Sequence, residues 1–339
     1  MSTPDIAVLI GRFQPYHNGH AALLTKALET APKAIVVLGS AQQARSVRNP
    51  FTWEERAAMI RATLNDEQQA RVEFVPVRDY YDDKRWKAAV IAAVKNLAPN
   101  HAHIALIGFV KDATSHYLNR FPEWQFIATP RQGAVDATSL RQIYFEGDDP
   151  AITQTLLAPL VPTAIAHYLK GWARLPHFAQ LREEHLAIEK GKKTWGTGPF
   201  ITVDAVVRAS DHILLIKRGH APGKGSWALP GGFLEPREQV LQGAIRELRE
   251  ETGFALLDST LEEALQSTAV FDHPDRSQRG RTITHAHYFD LKNARPPQVE
   301  GADDAVEAKW VAMSDLLAME DQFFEDHFNI LNHFLGLVG

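Results

Sequence analysis

The chain has 339 residues, 45% hydrophobic and 23% charged, and this globular composition exceeds what one core usually supports, so two domains are expected. A net charge of -5 gives no general attraction to a phosphate backbone, which argues against nucleic acid as a partner and leaves any phosphate binding to local groups. Cysteine is absent, which excludes disulfides, thiolate nucleophiles and cysteine-ligated metals. The first residues carry Asp5 and no basic segment, and no apolar run approaches the ~18 residues of a membrane span, so a cytoplasmic location without a membrane partner is expected.

In the first half, short apolar runs at 6–10, 34–38, 72–77, 104–107 and 126–128 read as buried strands. Amphipathic stretches at 21–29, 53–64, 86–97 and 115–121 alternate with them, the rhythm of a parallel α/β sheet. Thr52 and Glu55 open the second stretch as a capping box. The first strand runs into Gly11-Arg12-Phe13-Gln14-Pro15-Tyr16-His17-Asn18-Gly19-His20 and then a helix. Free backbone amides and the positive end of the helix dipole make such a turn a phosphate site, to which His17 and His20 add donors. It is not a Walker A loop, and the lysine-rich run at Gly191 has Leu186 where that motif needs its first glycine. Helical stretches at 161–172 and 178–190 follow, and the periodicity stops in a Gly, Lys and Thr-rich segment. The expected division is a domain over 1–185, a linker over 186–199 and a domain over 200–339.

After the linker the pattern changes. Strands are expected at 200–208, 212–217, 267–271, 284–291 and 309–312, with a final helix over 322–335, which makes a mixed α/β unit. Between them, Glu247, Glu250 and Glu251 fall at i, i+3 and i+4 of a helix, on one face. Three like charges there repel one another unless a cation compensates them, and hard oxygen donors select Mg²⁺ or Mn²⁺. A solvated acidic face is the plainer alternative for so short a motif.

The wider context decides against it. Gly232, Glu238, Arg246, Glu247, Leu248, Glu250, Glu251, Gly253 and Phe254 fit the Nudix box position by position. Seven fixed identities arise by chance roughly once in 10⁹ windows. From about Phe200 onward the chain therefore resembles a Nudix hydrolase, which implies an α/β/α sandwich with a mixed sheet. The resemblance further implies that Glu247, Glu250 and Glu251, with the Gly232 carbonyl, hold the metal, and that one glutamate orients or deprotonates the attacking water. Arg246 is expected to hold the helix to the loop by pairing with a carboxylate such as Glu238. In the segment 272–285, similar to a stretch of Nudix enzymes acting on ADP-ribose or related dinucleotides, Arg279 and Arg281 are candidates to clamp a diphosphate, with a merely solvated basic loop as the alternative.

The histidine loop resembles the signature of nucleotidyltransferases. Gly39-Ser40-Ala41-Gln42, Arg48-Asn49-Pro50-Phe51-Thr52 with Glu55-Arg56, Asp79 with Trp86, and Thr138-Ser139-Leu140-Arg141 narrow the resemblance to archaeal-like nicotinamide mononucleotide adenylyltransferases, over about residues 5–145. It implies a Rossmann-like domain that joins ATP and nicotinamide mononucleotide into NAD. On that pattern His17, His20, Arg48 and Arg141 surround the ATP phosphates with Mg²⁺, and Gly11, Arg12 and Phe13 of the loop, with Thr138, are further substrate-binding residues. Trp86 then stacks on the nicotinamide ring and Asp79 fixes that end, although a tryptophan on an amphipathic helix is as readily a core residue. Gly108, Lys111, Asp112 and Ser115 are expected at a further nucleotide-facing turn. Asp136 departs from the pattern, which usually has serine there, and either opposes the ATP phosphates or turns outward.

The order of the two domains is that of a bifunctional family, which implies ATP, nicotinamide mononucleotide and ADP-ribose as substrates. Two readings stay open beside it: neighbouring specificity, with nicotinate mononucleotide in front and NADH or another dinucleotide behind, and a Nudix domain kept as a non-hydrolytic sensor. Self-association is also left open.

Overall fold

The computed structural model describes residues 3–109, 121–130, 136–292 and 295–338. It divides into two compact units, Met1–Arg182 and Glu183–Gly339.

In the first unit the described elements are β1 (Ile6–Gly11), α1 (Asn18–Thr30), β2 (Lys33–Leu38), α2 (Trp53–Arg61), α3 (Asp66–Gln69), β3 (Val72–Pro76), α4 (Asp83–Leu97), β4 (Ile104–Gly108), β5 (Gln125–Ala128), α5 (Ala137–Glu146), α6 (Pro150–Leu157), α7 (Thr163–Trp172) and the start of α8 (Pro176–Trp195). The five strands are all parallel in the order β3-β2-β1-β4-β5. Both faces of the sheet are covered. Ala7, Leu9, Val36 and Leu38 point into a core with α1, α2 and α5 to α8, while Ile6, Val8, Ile35 and Val37 pack on Val90 and Val94 of α4. Strands buried on both faces read as continuous apolar runs, which is why they were legible. The order reverses at β1, between β2 and β4, and a doubly wound sheet opens its ligand crevice at the carboxyl ends there.

The second unit contains the rest of α8, then β6 (Phe200–Ala209), β7 (His212–Arg218), β8 (Trp227–Ala228), β9 (Gly231–Phe233), α9 (Val240–Thr252), α10 (Asp258–Ala264), β10 (Leu265–Phe271), β11 (Thr282–Asp290), β12 (Ala305–Ala312), a 3-10 turn (Leu316–Gln322) and α11 (His327–Leu335). Its sheet runs β10-β11-β6-β7-β12, with β8 on β7 and β9 on β6. Among the described strand pairings β11–β6 is parallel and the others are antiparallel, so the sheet is mixed. Ala205, Val207 and Leu214 face Ile245 and Leu248 of α9, whereas Val206, Ile213 and Leu215 face Phe328, Ile330 and Leu331 of α11. That alternation along β6 and β7 gives one helix layer on each face, a three-layer sandwich.

Three expectations need correction. The segment 186–199 is not a linker throughout, because α8 continues to Trp195. Lys and Glu at helical spacing, Glu189 pairing with Lys192 at 2.9 Å, sustain a helix without an apolar stripe. The final helix begins at His327, after the 3-10 turn, and β12 starts four residues before its expected position. The expected helix over 115–121 lies almost wholly outside the described residues.

Candidate active sites

The first site lies at the carboxyl end of β1. His17 caps α1, its Nδ1 accepting the Gly19 amide at 3.1 Å, and its ring stacks on His20 with centroids 3.7 Å apart. Phe13 packs edge-on to His20 at 4.8 Å. Burial, reinforced by His17, holds the His20 imidazole well below the usual histidine range, so it is neutral at pH 7. Its buried Nδ1 has no hydrogen-bond partner among the described residues.

Arg141 reaches in from α5, donating Nη1 to the Gln14 carbonyl at 2.7 Å and Nη2 to Thr138 Oγ1 at 3.3 Å. Burial first, then the positive charges of Arg12 and Arg48, push its guanidinium down to about 10. The structure thus brings Arg12 and Arg48 into electrostatic range of Arg141, a concentration of positive charge that anions would relieve. Asp136 does not oppose that charge freely. It is the N-cap of α5, accepting the Thr138 and Ser139 amides at 2.9 and 3.0 Å.

Gly11 and Gly108 end the two strands flanking the crevice, and Gly11 accepts the Gly39 amide at 2.9 Å. Asp79 accepts the Ser40 hydroxyl at 2.6 Å and Gln43 Nε2 at 3.3 Å. Trp86 is half-buried on α4, its ring 6.0 Å from that of Phe121, so one part of it belongs to the core. Lys111, Asp112 and Ser115 lie outside the described residues.

In the second unit α9 carries the box glutamates, and the structure separates them. Glu251 is 3% exposed and accepts the Gly231 amide at 2.8 Å, Glu247 is half-buried, and Glu250 is exposed. Burial pushes the Glu251 carboxyl up to about 8 despite that amide, and raises Glu247 as well. Arg246 grips Glu238 with both arms, at 2.5 and 3.0 Å, and also reaches Glu247 at 3.0 Å and Glu250 at 2.7 Å. It therefore ties the helix to the preceding loop, as expected. Among the described residues no three acidic or histidine side chains already converge as a metal cluster.

The donor set nevertheless fits a hard divalent ion. It is all oxygen, two of its carboxyls are desolvated without full compensation, and a Cβ at Gly232 would stand 2.5 Å from Glu247 Oε1, so the glycine leaves that carboxylate its room.

Beside this face Arg279 lies 5.7 Å from the Phe233 ring centroid and 5.5 Å from that of Phe324, and pairs with Glu325 at 3.3 Å. Arg281 is drawn instead to Asp272 of its own loop. Sequence reasoning missed Arg218, which lies 4.4 Å from the same Phe324 ring and feels the charges of Arg279 and Glu251. Nothing in its strand pattern marks it, since only the fold brings β7 beside Phe324.

Two family models match the chain: Cytidylyltransferase-like over residues 8–143 and NUDIX domain over 198–334. A nicotinamide/nicotinic acid mononucleotide adenylyltransferase of Acinetobacter baylyi is 35% identical over 54% of this chain and 94% of its own length. The crystal structure of a bifunctional NMN adenylyltransferase/ADP ribose pyrophosphatase from Francisella tularensis superposes with a TM-score of 0.88 at 34% identity, covering 98% of this chain and 99% of that one. The chain belongs to the bifunctional NMN adenylyltransferase/ADP-ribose pyrophosphatase family. A second structure of the F. tularensis protein, complexed with AMP and a manganese ion, gives a TM-score of 0.89 over 99% of this chain. An ADP-ribose pyrophosphatase of Methanocaldococcus jannaschii is 35% identical over 35% of this chain, which spans 64% of that relative. The family's two parts therefore correspond to the two units and to the two clusters of candidate residues.

Proposed function

We propose that the first unit transfers the adenylyl group of ATP to nicotinamide mononucleotide, giving NAD and pyrophosphate, and that the second hydrolyses ADP-ribose to AMP and ribose 5-phosphate with Mg²⁺. The observation that carries the reading is the full-length likeness to a bifunctional protein, in a chain that keeps both an arginine-histidine cluster and the box glutamates.

Adenylyl transfer here needs no general base. A phosphate monoester has its second pKa near 6, so the attacking oxygen of the mononucleotide is already charged at pH 7. That oxygen bonds to the α-phosphorus as the bond to the β-phosphate breaks, and pyrophosphate leaves. Arg12, Arg48 and Arg141 neutralise the phosphates, and neutral His20 donates one N–H without adding charge. Asp79, fixed by Ser40, and the half-buried Trp86 receive the nicotinamide end. Gly11, Arg12 and Phe13 shape the floor of the site, Thr138 orients Arg141, and Gly108 borders the crevice.

For hydrolysis, Glu247, Glu250 and Glu251 with the Gly232 carbonyl would hold the divalent cation, which supplies charge neutralisation and acidifies water. Arg279 grips the diphosphate from the Phe233 side, while Arg281, tied to Asp272, has the smaller part. A cytoplasmic location suits both substrates, and among the described residues no helix is long and apolar enough to cross a membrane.

The test is purified protein with Mg²⁺, assayed for NAD from ATP and nicotinamide mononucleotide, and for AMP from ADP-ribose, NADH and a diadenosine polyphosphate in parallel. NAD formation and preferential cleavage of ADP-ribose are expected. Cleavage of none of the three would favour a ligand sensor, and preference for NADH a different dinucleotide specificity.

A further inference from the structure

Arg56 sits one turn into α2 and is 0% exposed. Its bonds all go to backbone carbonyls: Nη1 to Arg12 at 2.7 Å and to Gly39 at 2.6 Å, Nη2 to Ser40 at 3.3 Å, and Nε to Thr52 at 3.3 Å. Among the described residues no carboxylate lies within ion-pairing distance of it. Asp79, Glu54 and Glu55 act on it only from beyond that distance and burial outweighs them, so a purely space-filling role is poorly served by it.

The carbonyls it holds are not arbitrary. Phe13 and Ser40 both take left-handed backbone conformations, at φ 52° and 49°, and neither is glycine. Such residues are strained unless their surroundings impose the conformation. The Arg12 carbonyl fixes the peptide plane entering Phe13, the Gly39 carbonyl the plane entering Ser40, and the Ser40 carbonyl the plane leaving it. One guanidinium fork therefore sets the turns that follow β1 and β2. Those turns aim Phe13 at His20 and the Ser40 hydroxyl at Asp79.

We infer that Arg56 is a positioning residue for adenylyl transfer, holding the loops after β1 and β2 in the left-handed turns that present Phe13, His20 and Asp79 to substrate. This rests on the adenylyltransferase reading of the first unit. A flat fork holds these carbonyls from three separate nitrogens in fixed directions, a spread that the single nitrogen of a lysine ammonium does not reproduce.

The experiment uses the full chain with Arg56→Ala and two readouts. Amide exchange, which needs no substrate, should show faster exchange at Gly39 and Ala41, whose N–H groups bond Gly11 and Val77, with Val8 and Ile35 inside the sheet still protected. In turnover, kcat for NAD formation should drop about 100-fold, the scale of an ångström-sized misplacement. Guanidinium at tens of millimolar, but not ammonium, should restore at least a tenth of the lost activity. Unchanged exchange at Gly39 and Ala41, wild-type kcat in the variant, or a loss that guanidinium does not restore overturns the inference. Wild-type protein that makes no NAD under the same conditions refutes the adenylyltransferase reading instead, while the exchange result still tests the positioning of the loops.

Discussion

At the scale of single residues, Gly232 and His327 show how small chemical differences shape the second site. An alanine at 232 would press its methyl onto the Glu247 carboxylate, which must swing away from the position that its proposed donor role uses. Gly232→Ala is expected to lower kcat for ADP-ribose hydrolysis about 100-fold with the unit still folded, read from turnover beside a circular dichroism melt. His327 is fully buried and accepts the Leu229 amide on Nδ1 at 3.0 Å, which requires a neutral ring. Burial, with Arg276 nearby, pushes its imidazole down to about 3. Below pH 6.5 the unfolded chain takes up a proton that the folded one refuses. The stabilisation is therefore complete above pH 6.5 and is lost as pH falls toward 3, at about 1.4 kcal/mol per pH unit for this group. Urea unfolding of His327→Gln, followed by exchange of the β6 and β7 amides, should show a slope between pH 6 and 4.5 shallower by that amount than in the wild type.

At the scale of elements, the tie between α9 and the loop before it rests on Arg246. Its side chain is 22% exposed and binds three carboxylates and the Phe233 carbonyl. Arg246→Lys loses the two-armed grip on Glu238, and chemical denaturation should show the second unit less stable by about 2 kcal/mol. The glutamate face of α9 was legible because helical spacing alone sets which side chains share a side. Their separate fates were not. That Glu251 turns to the Gly231 amide while Glu250 stays in water depends on β9 lying against one edge of the helix. Likewise α5 was legible only as the motif Thr138 to Arg141, and the extension of α8 through 191–195 was missed because it has no apolar stripe to announce it.

At the scale of the whole molecule, the division into two units implies separable activities. Glu251→Gln should reduce ADP-ribose hydrolysis to background and leave NAD synthesis intact, and Arg141→Ala should do the reverse, each measured by chromatography of both product sets from one preparation. Loss of both activities in either variant would point to a shared site or to global unfolding. The sequence by itself determined the two-domain plan, the parallel and mixed sheets, the histidine loop and the glutamate helix, because periodicity and motif spacing are local properties of the chain. Only tertiary structure decided that Arg56 joins two loops 27 residues apart, from Phe13 to Ser40, and that Arg218 meets Phe324. Those contacts depend on which strand ends lie side by side and on where burial strips water from a charge, and neither is written in the spacing of residues along the chain.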